Sequence, residues 1–390
     1  MKELSKITEQ FTESVIREMT RVCDAAGGIN LSQGFPDFDA PEELKEAARE
    51  AIRDGYNQYP VTYGERALRE AIAGKARWYN GMACDPETDI TVTCGATEAM
   101  IATLKALVNP GDEVVLFEPF YENYGPDAIL SGATPRYVTL YPPDWRYDPA
   151  ELAAAFNERT KAIVINTPNN PTGKVFTRGE LEEMAALCSK WDVFAVTDEI
   201  YEHILYDGTV HVSMASLDGM AERTVTINSL SKTYSVTGWR VGWAIASPVV
   251  TTRIRKVHDF LTVGAPHPFQ KAAVFALGMD RRYYETLRER YEKSRHMLIA
   301  SLKNAGFDPF IPRGAYYAIV NASRAMKLLG VRDDVSFSRR LIETTGVATV
   351  PGTSFYADGG KGMDQVRFCF CKKEETLREV GERLMRIKAT

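Results

Sequence analysis

Between residues 90 and 260 the chain alternates short apolar runs, rich in β-branched residues, with segments of helical composition. The predicted strands are 90–94, 113–117, 134–140, 161–166, 192–197, 223–227 and 240–246. Strands that alternate with helices predict an α/β fold, in which a mostly parallel sheet is sandwiched by helices. Ligands of such sheets bind beyond the carboxyl ends of the strands, so functional residues are expected just after predicted strands.

The pattern changes after a long, charge-rich helical segment at residues 281–304. Short extended pieces at 307–311 and 315–320, followed by further helices, are typical of a smaller α+β domain. We therefore predict an N-terminal arm at 1–50 that forms part of the small domain, a large ligand-binding domain at 51–285, and a C-terminal small domain at 286–390.

Composition excludes several classes of protein. The formal net charge of −5 argues against a nucleic-acid or anionic-membrane surface. No apolar run reaches membrane-spanning length and the first residues lack a secretory signal, which predicts a cytoplasmic protein. The six cysteines and five histidines lack metal-ligand spacing, so we predict no metal site and cysteines that are reduced and mostly buried.

One lysine is poorly explained as a surface charge. Lys232 follows the β-branched run 224–227 and stands among the hydroxyl residues Ser229 and Ser231, eight residues before Arg240. An amine held in a pocket forms an imine with an aldehyde. Hydroxyl groups and an arginine suit a phosphate. An aldehyde together with a phosphate indicates pyridoxal 5′-phosphate (PLP).

Other predicted strands end in groups that suit the same ligand. Gly95, Ala96 and Thr97 open a helix, whose exposed N–H groups form an anion site. Asn170, in a proline-rich loop after residue 166, offers an amide to a phenolic oxygen, although an Asx turn explains the loop equally well.

A carboxylate follows the strand that ends near Val196. In a dry pocket, Asp198 keeps a pyridinium nitrogen protonated, which makes the ring a better electron sink. Tyr201 is placed to reach the opposite edge of such a ring. Every candidate group therefore follows a predicted strand, as the fold class requires.

Three motifs carry a resemblance to a known family. TPNNPTG at 167–173, DEIY at 198–201 and SLSK at 229–232, continuing to GWRVG at 238–242, resemble the signatures of class I aminotransferases. These are fold-type I PLP enzymes, a group that includes the aspartate, aromatic, kynurenine and glutamine transaminases. The resemblance extends in the same order from about Gly34 to Arg367, nearly the whole chain.

The resemblance implies roles for individual residues. Lys232 is similar to the Schiff-base lysine that later acts as general acid and base. Asp198 is similar to the partner of the pyridine nitrogen, and Asn170 and Tyr201 to the pair that bonds the ring oxygen. The phosphate contacts implied are Ala96, Thr97, Ser229, Ser231 and Arg240.

Substrate and subunit contacts also follow from the resemblance. Tyr121 matches the aromatic residue that stacks on the ring, and Tyr59 the tyrosine that reaches the phosphate of a neighbouring subunit, which implies a homodimer with shared sites. Arg367 matches the residue that binds the substrate α-carboxylate, a bidentate task. Gly34 and Asn170 complete the predicted substrate contacts.

The implied activity is transfer of an amino group from an L-amino acid to a 2-oxo acid in two half-reactions. A PLP-dependent β-lyase, cyclase or oxidase is the alternative, because cofactor motifs do not separate these reactions. A PLP-binding regulatory module is disfavoured, since every catalytic position is filled.

The sequence departs from many relatives in having Ala96 in the phosphate loop. It also lacks a clear second arginine for dicarboxylate substrates, for which Arg313 is a conceivable substitute.

Overall fold

The structure, a computed structural model, describes residues 2–388. Its strands in this range are β1 (Ile29–Asn30), β2 (Ile90–Thr93), β3 (Glu113–Glu118), β4 (Thr134–Thr139), β5 (Thr160–Asn166), β6 (Phe194–Asp198), β7 (Thr224–Ser229), β8 (Gly242–Ile245), β9 (Asp308–Pro309), β10 (Tyr317–Asn321), β11 (Val347–Ala348), β12 (Val350–Pro351) and β13 (Gln365–Cys369).

The α-helices are α1 (Val15–Ala25), α2 (Glu42–Arg53), α3 (Arg66–Lys75), α4 (Gly95–Leu107), α5 (Tyr124–Leu130), α6 (Pro149–Ala154), α7 (Arg178–Trp191), α8 (Pro248–Thr262), α9 (His267–Leu277), α10 (Arg281–Ala305), α11 (Ser323–Leu328), α12 (Asp334–Thr345) and α13 (Glu374–Leu384). Among residues 2–388, no helix combines the length and apolar character needed to cross a membrane.

A seven-stranded sheet with the order β2-β8-β7-β6-β5-β3-β4 forms the centre of the molecule. Only β8 runs against the other six, because it pairs antiparallel with both β7 and β2. The predicted fold class, a mostly parallel sheet between helices, is therefore confirmed. The predicted strand 240–246 is shorter than expected and begins at Gly242, since Arg240 adopts a left-handed conformation with φ of 56°.

Side chains alternate between the two faces of the sheet, and both faces are buried. On β3, Val114 and Leu116 pack with residues of α4 and α8, whereas Val115 and Phe117 pack on the opposite face with residues of α7. Burial on both faces explains why these strands are nearly continuous apolar runs. Helix α7 begins with a capping box, in which the Thr177 hydroxyl accepts from the Glu180 N–H.

A second, antiparallel sheet has the order β12-β13-β10-β9. The N-terminal β1 pairs with β11, so that Ile29 lies opposite Val347. The beginning of the chain therefore packs on the part that follows α10. All six cysteines are free, and four are fully buried, as the sequence predicts.

Candidate active site

A cavity of about 460 Å³ opens at the carboxyl ends of the central strands. Most of the predicted site residues line it. These are Gly34, Ala96, Thr97, Tyr121, Asn170, Asp198, Tyr201, Ser229, Ser231, Lys232, Arg240 and Arg367. Residues that are up to 333 positions apart in the sequence thus meet at one edge of the sheet. Those that follow β2, β5, β6 and β7 meet because parallel strands end there, whereas Arg367 reaches the cavity from β13 of the second sheet.

Lys232 stands just beyond the end of β7 and faces this cavity. Its Nζ donates to the Gly34 carbonyl at 3.2 Å and lies 5.7 Å from the ring centres of Tyr201 and Tyr316. Burial lowers the pKa of Lys232 to about 8. A substantial fraction of the amine is therefore neutral near physiological pH, which is the form that attacks a carbonyl carbon.

Asp198 ends β6 and is buried. Its Oδ2 accepts a hydrogen bond of 2.7 Å from the Tyr124 hydroxyl, and its Oδ1 accepts from the Ile200 N–H at 3.3 Å. Burial raises the pKa of Asp198 to about 6, and the bond from Tyr124 only partly opposes this effect. Among residues 2–388, only neutral donors bond to this carboxylate, which is therefore suited to a positively charged ring nitrogen.

Arg367, on β13, crosses from the second sheet to the loops of the central sheet. Its Nη1 donates to Asn170 Oδ1 at 2.8 Å, and its Nη2 donates to the Ser32 carbonyl. The guanidinium lies 4.4 Å from the ring centre of Tyr317, and Nε has no partner within the described chain. A buried guanidinium held by neutral acceptors alone is suited to a carboxylate ligand.

Tyr201 is also buried, and its hydroxyl shares a hydrogen bond of 3.1 Å with the Tyr317 hydroxyl. Gly34 lies against the same tyrosine: a Cβ at position 34 would come within 1.8 Å of the Tyr317 oxygen. A side chain at position 34 is therefore excluded, which leaves the Gly34 carbonyl free to accept from Lys232 and from Tyr316.

The start of α4, together with Arg240, forms an anion-binding group at the other end of the cavity. Arg240 donates to the carbonyls of Thr237 and Cys94 at 3.0 and 3.4 Å and forms no ion pair within residues 2–388. Gly95 does not line the cavity but lies behind Arg240, since a Cβ there would come within 2.5 Å of the guanidinium. The positive end of α4, the guanidinium and the hydroxyls of Ser229 and Ser231 suit a phosphate.

The donors and acceptors around the cavity therefore fit PLP. The anion-binding group matches the phosphate, Lys232 the aldehyde carbon, and Asp198 the ring nitrogen.

Besides Gly95, two residues proposed from the sequence lie outside this cavity. Tyr59 is 82% exposed and outside the cavity. Arg313 lies 3.4 Å from Asp207 and lines a separate cavity between residues 143–149 and 172–183. The idea that Arg313 replaces the second arginine of dicarboxylate enzymes is therefore wrong, because this side chain faces a different cavity.

Several cavity residues were missed from the sequence, and three of them have polar groups that bear on the chemistry: Arg17, Tyr124 and Tyr317. Tyr124 follows Tyr121 by three residues after the end of β3, and this spacing was the available signal. Arg17 lies on α1, and its exposed guanidinium forms no hydrogen bond or ion pair with residues 2–388. Nothing in the local sequence of α1 places it at a site more than 200 residues away.

His211 does approach two carboxylates, those of Glu199 and Glu202, within a buried polar cluster. The sequence predicts no metal site, and this group does not test that prediction. Glu202 already forms an ion pair there with Lys75, so this cluster contains its own cation.

Comparison with known proteins agrees with the site. Residues 26–384 match the family model for aminotransferase class I and II. The chain is 37% identical to a methionine aminotransferase of Escherichia coli over 97% of both chains, and 37% identical to kynurenine–oxoglutarate transaminase 1 of Homo sapiens over 95% of both. The structure of N-succinyldiaminopimelate aminotransferase from Mycobacterium tuberculosis superimposes with a TM-score of 0.95 at 37% identity, covering 99% of this chain and all of that one. The chain belongs to aminotransferase class I and II, and is a PLP-dependent enzyme that transfers an amino group from an amino acid to a 2-oxo acid.

Proposed function

We propose that Lys232 binds PLP covalently and moves the proton during amino-group transfer. The observation that carries this proposal is the position of its amine, which faces the cavity between Asp198 and the anion-binding group with a pKa lowered to about 8. An amine that is partly neutral both attacks a carbonyl and accepts a proton.

When bound, the cofactor supplies an electron sink for the pair released at the substrate Cα. Asp198 holds a proton at the ring nitrogen, and its Oδ2 also accepts a hydrogen bond from the Tyr124 hydroxyl. Lys232 Nζ then takes the proton from the substrate Cα. Asn170 and Tyr201 orient the ring by hydrogen bonds to its phenolic oxygen, and Tyr121 packs against its face.

Arg367 binds the α-carboxylate of the substrate, supported by Asn170 and the backbone of Gly34. Its guanidinium is already fixed by Asn170 Oδ1 and the Ser32 carbonyl, so little side-chain entropy is lost on binding. This contact accepts both partner substrates, since an amino acid and a 2-oxo acid carry the same carboxylate.

The remaining wall of the cavity supports an amino donor with an uncharged side chain and an acceptor with a second carboxylate. Ile16, Phe35 and Tyr317 offer apolar surface for an uncharged donor side chain. Arg17 supplies an unpaired cation at the opening, which suits the second carboxylate of an acceptor such as 2-oxoglutarate. The names of two relatives, a methionine aminotransferase and a kynurenine–oxoglutarate transaminase, support this combination.

We propose that the enzyme is a homodimer, in which the exposed Tyr59 reaches the phosphate of the partner subunit's cofactor.

We also propose the division into an N-terminal arm at 1–50, a PLP-binding domain at 51–285 and a small domain at 286–390. The pairing of β1 with β11 supports the association of the first and last parts. The cytoplasmic location stays a prediction from the sequence.

The test uses the purified enzyme and a single amino acid, methionine. We expect the bound cofactor to convert to the pyridoxamine form with release of one equivalent of oxo acid, whereas elimination chemistry with release of ammonia would contradict the proposal. Borohydride is expected to fix the cofactor to the wild-type chain and to a Lys303→Ala control, whose lysine is exposed on α10, but not to Lys232→Ala. Fixation to Lys232→Ala, detected by intact mass, would overturn the lysine assignment.

A further inference from the structure

A buried ion pair lies behind the anion-binding end of the cavity and joins three segments of the chain. Glu98 is on the first turn of α4 and His258 is on α8. His258 Nδ1 is 2.6 Å from Glu98 Oε1, and the two side chains are 0% and 7% exposed. Neither residue lines the cavity, so direct contact with the cofactor does not explain the pair.

The Glu98 carboxylate accepts from three donors. Its Oε2 accepts from the Cys94 N–H, and its Oε1 accepts from the Thr262 hydroxyl at 2.7 Å as well as from His258. Three donors around one carboxylate favour its ionised form. The Cys94 amide immediately precedes Gly95, so Glu98 fixes the turn from which the first N–H groups of α4 face the cavity.

His258 makes a second contact on its other side. Its Nε2 is 2.8 Å from the Thr62 carbonyl, which only accepts, so Nε2 carries a hydrogen. Because Glu98 is ionised, Nδ1 must carry a hydrogen too, and the ring is an imidazolium. The other ionisable groups near the pair are Cys94 and Asp259.

The Thr62 carbonyl belongs to the loop at 57–63, which presents Tyr59 to the outside. The same loop is held at Gln58, whose carbonyl accepts from His267 Nδ1 at 2.9 Å. His258 therefore connects the loop that carries Tyr59 to the turn that begins α4.

We infer that Glu98 and His258 are positioning residues, whose ion pair fixes the phosphate-binding turn at Cys94–Thr97 relative to the Tyr59 loop. The inference rests on the proposed cofactor site. In the proposed dimer, the turn serves the phosphate of its own subunit and Tyr59 serves that of the partner. One buried pair thus sets the geometry of both phosphate sites.

The test measures PLP binding to the apoprotein of the wild type, His258→Asn, Glu98→Gln and a His296→Asn control, whose histidine is exposed on α10. Asparagine cannot donate on two opposite sides, and glutamine keeps the shape of Glu98 without its charge. We expect about tenfold weaker PLP binding in both pair variants, since a hydrogen bond to a charged group is removed, and a shifted ³¹P resonance of the bound phosphate. The control should bind within about twofold of the wild type.

The protonation state of His258 distinguishes positioning through the ion pair from a purely structural role of the side chain. In histidine-labelled wild-type protein, ¹⁵N spectra at pH 6, below the ordinary pKa of histidine, should show both nitrogens of His258 protonated. The ratio of wild-type to His258→Asn affinity should fall towards one as the pH rises through the titration of that ring. Equal PLP binding by the variants and wild type, or a single protonated nitrogen at pH 6, would overturn the inference. If wild-type apoprotein itself fails to bind PLP, the proposed function fails instead.

Discussion

Among single residues, Asp198 shows most directly how the site trades stability for chemistry. Its folded pKa of about 6 lies above its ordinary value of 3.8 because the carboxyl is buried. The folded apoprotein therefore binds this proton more tightly than the unfolded chain, and its stability falls as the pH rises from about 4 through 6. Above that range the buried, ionised carboxylate lowers the stability of the apoprotein, and in the proposed cofactor site a cationic ring nitrogen would offset this effect.

Replacing this carboxylate should therefore stabilise the empty protein. We expect Asp198→Asn to raise the free energy of unfolding of the apoprotein by about 1–3 kcal/mol at pH 8, because Asn still accepts from Tyr124 but carries no charge. The gain should shrink as the pH is lowered to 5. Urea denaturation of both apoproteins at the two pH values measures this difference, and an apoprotein destabilised at pH 8 would contradict it.

Arg17 is the residue on which acceptor choice is expected to depend. We expect Arg17→Gln to raise the KM for 2-oxoglutarate about tenfold or more, because the substitution removes a charged hydrogen bond to the second carboxylate of this substrate. The KM for the oxo acid of methionine should stay within about twofold, because that side chain carries no charge. Steady-state kinetics with both acceptors tests the prediction. Arg21→Gln is the matched control, since Arg21 lies on the same helix and pairs with Glu13 at 2.8 Å. Equal losses for both acceptors would remove Arg17 from substrate selection.

At the scale of elements, the sequence predicts the strands of the central sheet well, since their buried β-branched runs differ clearly from the amphipathic helices. The site residues that follow β2, β5, β6 and β7 are predictable for the same reason, because parallel strands end at one edge. Contacts made by other elements are not predictable in this way. The approach of α1 to the cavity and of His258 to Glu98 depends on packing between segments far apart in sequence, and local periodicity carries no information about it.

The contact between α4 and α8 gives an element-scale prediction. Burial lowers the pKa of His258, but the neighbouring Glu98 carboxylate outweighs burial, so that the net shift is upward from 6.5. Burial raises the pKa of Glu98, but its donors, His258 above all, outweigh burial, so that the net shift is downward from 4.5. The pair thus stabilises the fold at pH values between the lowered pKa of Glu98 and the raised pKa of His258. This stabilisation is lost as the pH rises through the pKa of His258 or falls through the pKa of Glu98.

His258→Asn should therefore cost about 3 kcal/mol of unfolding free energy near pH 6, because a buried carboxylate loses its partner. The cost should become smaller as the pH rises through the raised pKa of His258, because the wild-type ring then becomes neutral. Denaturant titrations from pH 5 to 9, with His296→Asn as control, measure the profile. A cost that does not change with pH would mean that packing, and not the ion pair, links the two helices.

At the scale of the whole molecule, the proposed dimer predicts that one chain alone does not contain a complete site, because the exposed Tyr59 lies outside the cavity of its own chain. In the proposed dimer, each cavity uses Lys232 of its own chain and the tyrosine of the partner. Two defective chains should therefore complement each other. In a hybrid of Lys232→Ala with Tyr59→Ala, one cavity has both defects, and the other has an intact lysine and receives an intact tyrosine.

Mixing the two variants under conditions of subunit exchange should restore about a quarter of wild-type activity, because half of randomly paired dimers are hybrids and each hybrid has one complete site. The Lys232→Ala parent should be inactive, and the Tyr59→Ala parent should bind PLP weakly. Activity after mixing is measured at equal protein concentration, with Lys232→Ala mixed with itself and Tyr59→Ala mixed with itself as controls. If the mixture only averages its parents, Tyr59 serves its own chain or none, and each cavity is complete within a single subunit.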